Sequence, residues 1–491
     1  MRSSNKLSVC NVSVLAVSVV LTSAIYLLAS QSTYAIGFPL DDSWIHQTYA
    51  RNLALRGEWA FRPGLVSAGS TAPLWSALLA LGFLIHLSPY IWTYFLGALT
   101  LFALACVGEW GAREIMPTYR PRLPWVWLFL GVEWHLVWAA MSGMETLLHA
   151  LLATAVLILL MTNSRHYLTF GLLIALSVWV RPDGLTLLGP VMMALLLAEP
   201  DTRARTRAFG RLILGFGALF VPYLLFNLAI GGTPMPNTFY AKQAEYVAWQ
   251  TKPVFERLGQ MFLQLLVGTG FLLVPGAIAW LRSSLRQRDW GSLSAMTWCA
   301  GYLWLYISRL PAYHHGRYLM PAMPIFFLFG LLGLIDFVNS RSSNRLWRFV
   351  QMFWQTSVVM VSMLFIVLGA RAYALDVAVI ESEMVQTAKW VAANLPTDAI
   401  IAAHDIGALG YFDDHKLVDL AGLISPEVIP FIRDEERLSV FLNELGADYL
   451  IAFPEFYPEL SRSAEAVFTT EARFASLFNQ ENMSVFRWAG P

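Results

Sequence analysis

Two adjacent carboxylates, Asp41 and Asp42, are the residues of this sequence best suited to acid–base chemistry. Adjacent like charges repel each other, and such pairs in proteins often tune a base or hold a cation. Asp42 precedes His46 by one helical turn, so both side chains can lie on the same face of a helix. The pattern predicts a catalytic role for Asp41 or Asp42, and it does not distinguish between them.

The stretch DSWIHQTYARNLALRG, which includes Asp42, has the pattern of a helix that lies on a membrane surface. Ile45, Tyr49 and Leu53 recur every four residues, and Gly57 is a typical helix end. Asp41 is also a favoured N-cap residue for such a helix, which leaves a purely structural role open for it. One cap needs only one acid, so capping does not account for both carboxylates.

Further polar side chains stand in four turns between apolar runs. The turns are MSGMETLL with Glu145, VRPDGL with Arg181 and Asp183, GGTPMPNTFYAKQAEY with Asn237, Tyr240 and Lys242, and SRLPAYHHGRYLMP with Arg309, His314, His315 and Arg317. Ionisable groups at membrane depth are costly and usually functional. The alternative is that Glu145, Arg181 and Asp183 simply pair with one another. Nearer mid-span, Glu133 and His135 are expected to form a buried structural pair.

Membrane spans must position these residues. The chain has 491 residues, of which 57% are hydrophobic and 13% charged, whereas soluble chains carry about 25% charge. Apolar runs of roughly 16–24 residues recur, long enough to cross a bilayer core of about 30 Å. The first run, residues 7–29, is expected to be an uncleaved span; a signal peptide is the alternative, although its apolar core is usually about 7–15 residues. Cys10, Cys106 and Cys299 lie in apolar runs and form no disulfide framework or metal motif.

Basic residues cluster in alternate loops. They are found at Arg2 and Lys6, at Arg113, Arg120 and Arg122, at Arg165, at Arg203, Arg205, Arg207 and Arg211, at Arg282, Arg286 and Arg288, and at Arg341, Arg345 and Arg348. The positive-inside rule places these loops and the N-terminus in the cytoplasm. Residues 73–87 form a short run before Ser88-Pro89, which predicts a half-spanning or surface helix before a full span at 90–111. The chain would then have about eleven full spans plus one short helix.

The charge distribution predicts two domains. Residues 1–371 contain 26 Lys and Arg against 14 Asp and Glu, and residues 372–491 contain 7 against 19. We therefore expect a transmembrane domain over 1–371, with an outer loop at 31–72 that carries the surface helix, and a soluble α/β domain over 372–491 on the outer face. The stretches AIIAA and DYLIAF are typical of buried strands, and ESEMVQTAKWVAANL and RDEERLSVFLNEL of helices. The acidity of the tail disfavours nucleic acid as a partner.

Two residues of the tail are candidates for ligand contact. His404 and Asp405 directly follow the first predicted strand, where ligand-binding residues often lie in α/β domains. They could bind the acceptor of a reaction, or they could form only a turn and a helix cap.

The ordered set of motifs resembles the GT-C superfamily of polytopic glycosyltransferases. The matching stretches are FPLDDSWIHQTYARNLALRGEWAF, GSTAPLWSALLALG, SGMETLLHALL, RPDGL, GGTPMPNTFYAK, GRYLMPAMPIF and, in the tail, AIIAAHDIGALGYFDDHKLVDLAGL. The chain looks most like the bacterial arabinofuranosyltransferase-like proteins and, more distantly, the protein O-mannosyltransferases. Lipid A aminoarabinose transferases share the superfamily but place other residues around the acid, so their sites are not transferred here.

The resemblance implies a polyprenyl-phosphate sugar as donor and transfer on the outer face of the cytoplasmic (inner) membrane. The acceptor would be a cell-wall glycan, a lipid-linked glycan or a protein, and an outer-loop Asp would be the general base. A single base with direct attack would invert the anomeric centre. The candidates for binding the donor phosphate and sugar are His46, Glu145, Arg181, Asn237, Tyr240, Lys242, His314, His315 and Arg317.

Two alternatives stay open at this point. His314 and His315, with a carboxylate from Asp41 or Asp42, would suit a divalent cation such as Mg²⁺, Mn²⁺ or Ca²⁺. A polytopic transporter or flippase of a glycan or lipid precursor is the rival function, although the sequence shows no inverted repeat of broken helices. The sequence does not indicate the sugar, the acceptor or the oligomeric state.

Overall fold

The computed structural model of the chain describes residues 9–121, 123–339, 345–478 and 480–488. Arg2, Lys6, Arg122, Arg341 and the side chain of Cys10 lie outside the described residues.

Helices form most of the chain before the tail. Their bounds are α1 Val9–Thr33, α2 Asp42–Arg56, α3 Pro73–Leu84, α4 Pro89–Ile115, α5 Trp125–Val132, α6 Trp134–Met141, α7 Thr146–Met161, α8 Tyr167–Val180, α9 Leu188–Ala198, α10 Thr202–Gly231, α11 Asn237–Glu245, α12 Val247–Gln250, α13 Val254–Leu266, α14 Gly270–Gln287, α15 Trp290–Arg309, α16 Met323–Asn339 and α17 Arg345–Ile380. Short 3₁₀ turns stand at Pro182–Leu187, His314–Gly316 and Met320–Ala322, and a small hairpin pairs β1 Ala60–Arg62 with β2 Leu65–Val66.

Five helices of the described chain are long and apolar enough to cross a membrane. They lie at Asn11–Thr33, Pro89–Ile115, Thr202–Gly231, His314–Val338 and Arg345–Asn394, and α13 with α14, bent by 99°, would make a sixth span. Several other expected crossings are apolar helices of 10–17 residues, and one is divided at Glu133, whose carboxylate caps α6 by accepting a hydrogen bond from the Leu136 N–H. The count of eleven full spans therefore stays a prediction. The segment expected to be short is the 12-residue helix α3.

The tail contains a five-stranded mixed sheet, in agreement with the predicted α/β class. Its elements are α18 Gln386–Asn394, β3 Ile400–Ala403, α19 Gly407–Phe412, β4 Lys416–Asp419, α20 Glu435–Leu445, β5 Tyr449–Ala452, α21 Pro458–Arg462, β6 Glu465–Thr469 and β7 Ser484–Arg487. The strand order is β4-β3-β5-β7-β6, in which β3 is parallel to β4 and β5, and β7 is antiparallel to β5 and β6. The predicted strands are β3 and β5, and the predicted amphipathic helix is α20.

One long helix joins the membrane part to the tail. α17, a π-helical turn at Glu381–Val385 and α18 follow one another without a break, and together they belong to a helix that runs from Arg345 to Asn394. The composition boundary between residues 371 and 372 therefore falls inside a helix.

Most of helix α2 is buried in the protein, and only its last turn, with Leu55 60% exposed, is open; its location at a membrane surface stays a prediction. It ends at Gly57 as expected, with φ +69° and the Gly57 N–H bonded to the carbonyl groups of Asn52 and Leu53. Its polar side chains have buried partners: Gln47 donates to the Thr93 hydroxyl at 2.7 Å, and Asn52 donates to the Ala60 carbonyl at 2.9 Å. Trp44, also on α2, packs against Tyr411 and Phe412 of the tail. The tail and the neighbouring helices therefore cover much of α2.

Candidate active site

Asp42 begins α2 and forms an ion pair with a residue far along the chain. Its Oδ2 lies 2.8 Å from Nη2 of Arg317, and the same nitrogen donates to the Tyr318 hydroxyl at 3.0 Å. Burial alone would raise the pKa of Asp42, but the positive charges of Arg317 and Lys242 outweigh it and hold the pKa well below its usual range. Asp42 is therefore a carboxylate at neutral pH, and one third of its side chain is still exposed.

Asp41 is bound differently, although it is the neighbour of Asp42. Its carboxylate accepts the backbone N–H groups of Gly407 at 2.6 Å and Ala408 at 2.8 Å, the first residues of α19. It accepts no hydrogen bond from its own helix, so the alternative of an N-cap holds for α19 instead of α2. Burial and the negative charge of Asp405 raise the pKa of Asp41, against these backbone hydrogen bonds. The structure thus gives the two carboxylates different partners: Asp41 contacts the tail, and Asp42 faces Arg317.

A chain of buried ionic contacts extends from α2 to the turn after α8. His46 Nε2 lies 3.3 Å from Glu145 Oε2, Glu145 Oε1 lies 2.7 Å from Arg181 Nη1, and Arg181 Nε lies 3.0 Å from Asp183 Oδ2. Glu145, Arg181 and Asp183 therefore do pair with one another, and all three also line a cavity. Burial acts to raise the pKa of Glu145, but the hydrogen bond from His46 and the charge of Arg181 lower it to about 2. Glu145 is a permanent anion that orients Arg181.

Glu145, Arg181 and Asp183 line an open cavity of about 100 Å³. Its charged lining consists of Glu145, Arg181, Asp183, Lys242, Arg309 and Arg317, and its aromatic lining includes Tyr306 and Tyr318. Four cations thus face two carboxylates, and Asp42 is attached to the wall through Arg317. An excess of positive charge in a cleft is typical of a site for an anion such as a phosphate.

Two of the cations have no carboxylate partner. Lys242 Nζ lies 3.4 Å from the Tyr318 hydroxyl and 5.5 Å from the centre of its ring. Among the residues that the structure describes, no carboxylate oxygen lies within 4 Å of Lys242 or of Arg309. Their charge is available to a ligand, whereas Arg181 and Arg317 are already held in place by acids.

Not every predicted donor residue lines the cavity. Asn237 donates to the Leu423 carbonyl at 3.0 Å and thereby joins α11 to the tail. His315 Nε2 lies 2.8 Å from Asp376 Oδ2 on α17, and its ring contacts Trp134 and Trp138. Tyr240 and His314 are also absent from the lining. Sequence proximity grouped these residues with Lys242 and Arg317, but the turns that carry them direct neighbouring side chains to different surroundings.

The tail residues His404 and Asp405 lie near the same region. His404 Nδ1 is 2.8 Å from the Tyr457 hydroxyl, and its Nε2 is 3.3 Å from Glu245 Oε1 on α11. Arg433 also binds Glu245, at 2.9 Å. One carboxylate oxygen of Asp405 is buried and has no hydrogen-bond partner within the described part of the chain, and the charges of Asp41 and Asp405 act on each other. The tail therefore closes one side of the region around Asp42.

Three further residues of this region were not predicted as site residues: Arg309, Glu245 and Arg433. Arg309 and Glu245 lie within motifs that the sequence analysis singled out, so a signal was present. Arg433 carried none, because it stands among the many charged residues of an exposed tail. The pair Glu133–His135 is buried with a contact of 2.9 Å, as predicted. Within the described residues, no three His, Cys, Asp or Glu side chains are grouped to hold a metal ion.

The fold has relatives among solved structures. ArnT from Cupriavidus metallidurans bound to undecaprenyl phosphate superposes with a TM-score of 0.59 at 15% identity, over 96% of this chain and 99% of that one. Oligosaccharyltransferase AglB from Archaeoglobus fulgidus, in complex with an inhibitory peptide and a dolichol-phosphate, gives 0.62 at 10% identity, over 89% and 69%. The arabinofuranosyltransferase AftD from Mycobacteria gives 0.55 at 16% identity, over 96% and 39%. All three are GT-C glycosyltransferases.

The chain has a GT-C fold. It is a multi-pass membrane protein, which is supported by its long apolar helices and by the membrane proteins that share its fold. Residues 374–486 match a family described as a domain of unknown function, DUF8728. No curated protein sequence matches the chain. The GT-C resemblance that the motifs suggested is thus confirmed at the level of fold.

Proposed function

We propose that this protein is a membrane glycosyltransferase that moves a sugar from a polyprenyl-phosphate donor to an acceptor on the outer face of the cytoplasmic membrane. The observation that carries the proposal is a cavity in a GT-C fold that is lined by the cations Lys242, Arg309 and Arg317, the last of which lies 2.8 Å from the carboxylate of Asp42. Two neighbours were solved with undecaprenyl phosphate and with a dolichol-phosphate, which supports a lipid phosphate as part of the donor.

In this proposal Asp42 is the general base. It accepts the proton of an acceptor hydroxyl while the oxygen attacks the anomeric carbon and the bond from that carbon to the phosphate oxygen breaks. The polyprenyl phosphate leaves with the electron pair of that bond. A single displacement of this kind inverts the anomeric centre, so a product that retains the donor configuration would contradict it.

The cations stabilise the departing phosphate. Lys242 and Arg309 supply positive charge with no carboxylate oxygen within 4 Å among the described residues, and Arg181 supplies hydrogen-bond donors held by Glu145 and Asp183. Because His46 contacts Glu145 on the side away from Arg181, its role is to position Glu145 instead of touching the donor.

Asp42 is preferred to Asp41 as the base because of what each carboxylate already binds. Both oxygens of Asp41 accept backbone hydrogen bonds from α19, and the residue is buried. Asp42 is one third exposed and binds a cation of the cavity wall. Its pKa lies below its usual range, so it is ionised before the acceptor binds.

The test uses purified protein in lipid nanodiscs, a panel of polyprenyl-phosphate pentoses and hexoses, and an envelope acceptor extract. Free polyprenyl phosphate is measured for the wild type, Asp42→Asn and Asp41→Asn. We expect Asp42→Asn to lose about 10²- to 10⁴-fold in rate. Asp41→Asn keeps an oxygen that accepts a backbone hydrogen bond, and we expect it to retain the larger part of the rate. A loss confined to Asp41→Asn would assign the base to the other carboxylate.

The rival function is transport of a glycan or lipid precursor. The residues of the cavity lie at helix ends and in turns: Asp42 begins α2, Glu145 precedes α7 and Arg181 follows α8. A transporter instead places its polar residues near the middle of the membrane. Movement of a labelled precursor across the bilayer, without release of polyprenyl phosphate from any donor, would favour the rival.

A further inference from the structure

A second groove lies beside the donor cavity. It has a volume of about 390 Å³ and is formed by α12 and its flanking residues, Gln260 of α13, the 311–313 stretch and one residue of the tail. The side chains that matter here are Glu245, Tyr246, Trp249, Lys252, Tyr313 and Arg433. None of them belongs to the proposed catalytic or donor-binding set.

We propose that this groove binds the saccharide of the acceptor. The inference rests on the proposed function and names the class of its second substrate, which the sequence left as a glycan, a lipid or a protein. The ligand would be a chain of sugar rings, and its terminal hydroxyl would enter the donor cavity.

Aromatic side chains provide the surfaces for sugar rings. The rings of Tyr246 and Tyr313 lie 6.0 Å apart at 59° to each other, and 51% of Tyr313 is exposed. Trp249 also lines the groove, is largely buried, and donates its ring N–H to the Ile307 carbonyl at 3.4 Å. An aromatic ring left open in a concave surface with polar groups around it is typical of a ligand site, and the C–H faces of sugar rings pack well on such rings.

Charged groups at the rim suit hydroxyls. Glu245 accepts from Arg433 at 2.9 Å, and Lys252 lies 3.3 Å from Glu256 and 5.3 Å from the Trp249 ring. Sugar hydroxyls both donate and accept hydrogen bonds, so they can bind to either member of such pairs. An acyl chain would cover these ion pairs without offering them any hydrogen bond, which disfavours a purely lipid acceptor in this groove.

The groove and the cavity share two walls. Lys242 lines the cavity and Tyr246 lines the groove, one helical turn further along the chain. On the other wall, Leu310 lines the cavity and Pro311 the groove. A saccharide bound on Tyr313 is therefore next to the donor site. Glu245, which lines the groove, also contacts His404 of the tail, the neighbour of Asp405 in the sequence.

Binding is measured with the full chain in nanodiscs and arabinan, mannan, galactan and glucan oligosaccharides, by calorimetry. Tyr313→Ala should weaken binding of at least one of them about three- to tenfold. Tyr313→Phe keeps the ring and should bind nearly as well as the wild type. The matched control is Tyr34→Ala, since Tyr34 is 44% exposed but contacts Phe474 away from the groove. Binding of polyprenyl phosphate should be equal in all four proteins.

The outcomes separate this inference from the proposed function. Saccharide binding that depends on Tyr313, without release of polyprenyl phosphate from any donor, would support the groove and overturn the transferase. Donor turnover with an unchanged acceptor KM in Tyr313→Ala would overturn the groove alone. The groove would also be overturned if no oligosaccharide bound the wild type at millimolar concentration. An equal loss of saccharide affinity in Tyr34→Ala and Tyr313→Ala would overturn it as well.

Discussion

The cations around the cavity differ in what already holds them. Arg181 and Arg317 are fixed by carboxylates at 2.7 and 2.8 Å, so the net charge that each pair presents to a ligand is small. Lys242 Nζ lies 3.4 Å from the Tyr318 hydroxyl, and no carboxylate oxygen of the described residues lies within 4 Å of it. An arginine that is already paired mainly offers directed hydrogen bonds, whereas an unpaired lysine offers charge. The donor phosphate should therefore depend strongly on Lys242.

Lys242→Met should raise the donor KM about 10- to 100-fold, because a hydrogen bond to a charged group is worth about 1.5–3 kcal/mol. The measurement is polyprenyl phosphate release against donor concentration. Arg165→Ala is the control, since Arg165 is 78% exposed and its nearest acid is Glu199 at 3.6 Å. An unchanged donor KM in Lys242→Met would contradict the binding of the donor phosphate at Lys242.

At the residue scale, the sequence predicted the candidates better than their partners. Glu145, Arg181, Lys242 and Arg317 stood out because ionisable residues are rare in so apolar a chain, and all four line one cavity. The separation of Asp41 from Asp42 could not be predicted, since the backbone groups that bind Asp41 lie 366 and 367 residues later. No local pattern contains that information.

At the scale of elements, α11 and the tail are joined by charged residues. Glu245 lies between His404 and Arg433, and the pKa of Glu245 is lowered to about 2 because His404 and Arg433 outweigh the effect of burial. Burial acts to lower the pKa of His404, but the hydrogen bond with Glu245 and the charge of Asp405 raise it. These contacts contribute a free energy to the packing of the tail on α11, and that contribution varies with pH.

The His404 contact should stabilise the protein most below pH of about 6.5, the ordinary pKa of histidine. A group whose folded pKa is raised contributes fully below its unfolded pKa and loses the contribution as pH rises through the folded value. His404→Asn should therefore lower the Tm more at about pH 5.5 than at about pH 9. Both proteins would be melted in nanodiscs across this range. His166→Asn, at an exposed histidine, should show no such trend, and a Tm gap for His404→Asn that is independent of pH would contradict the prediction.

Helix α2 shows which part of an element the sequence can specify. Its end at Gly57 follows from a capping residue and was predicted, whereas the proposed cap at its start, Asp41, binds α19 instead. Its environment was not predicted, because a polar face with Gln47 and Asn52 looks the same whether water or protein satisfies it. Here Thr93 and the β1 backbone are the partners, and both come from other elements. Periodicity indicates which face is apolar, but it does not indicate what covers the other face.

At the scale of the whole molecule, the tail and the candidate site must lie on the same side of the membrane. Asp41 binds α19 through two backbone hydrogen bonds, and Glu245 binds His404 and Arg433. Gly407 comes so close to the Asp41 carbonyl group that any larger residue would collide with it. Locating the tail therefore also locates the cavity.

We expect the tail outside and the loop after α14 inside, because the basic clusters follow the positive-inside rule. With Cys10, Cys106 and Cys299 replaced by Ala, a single cysteine is introduced as Ser476→Cys in the tail or as Gln287→Cys at the end of α14, next to that loop; both positions are exposed. A membrane-impermeant maleimide should label Ser476→Cys in intact spheroplasts and Gln287→Cys only after permeabilisation. The reverse pattern would place the cavity on the cytoplasmic face. In that case the enzyme, with Asp42 as base, would use its donor before the lipid-linked sugar is moved across the membrane.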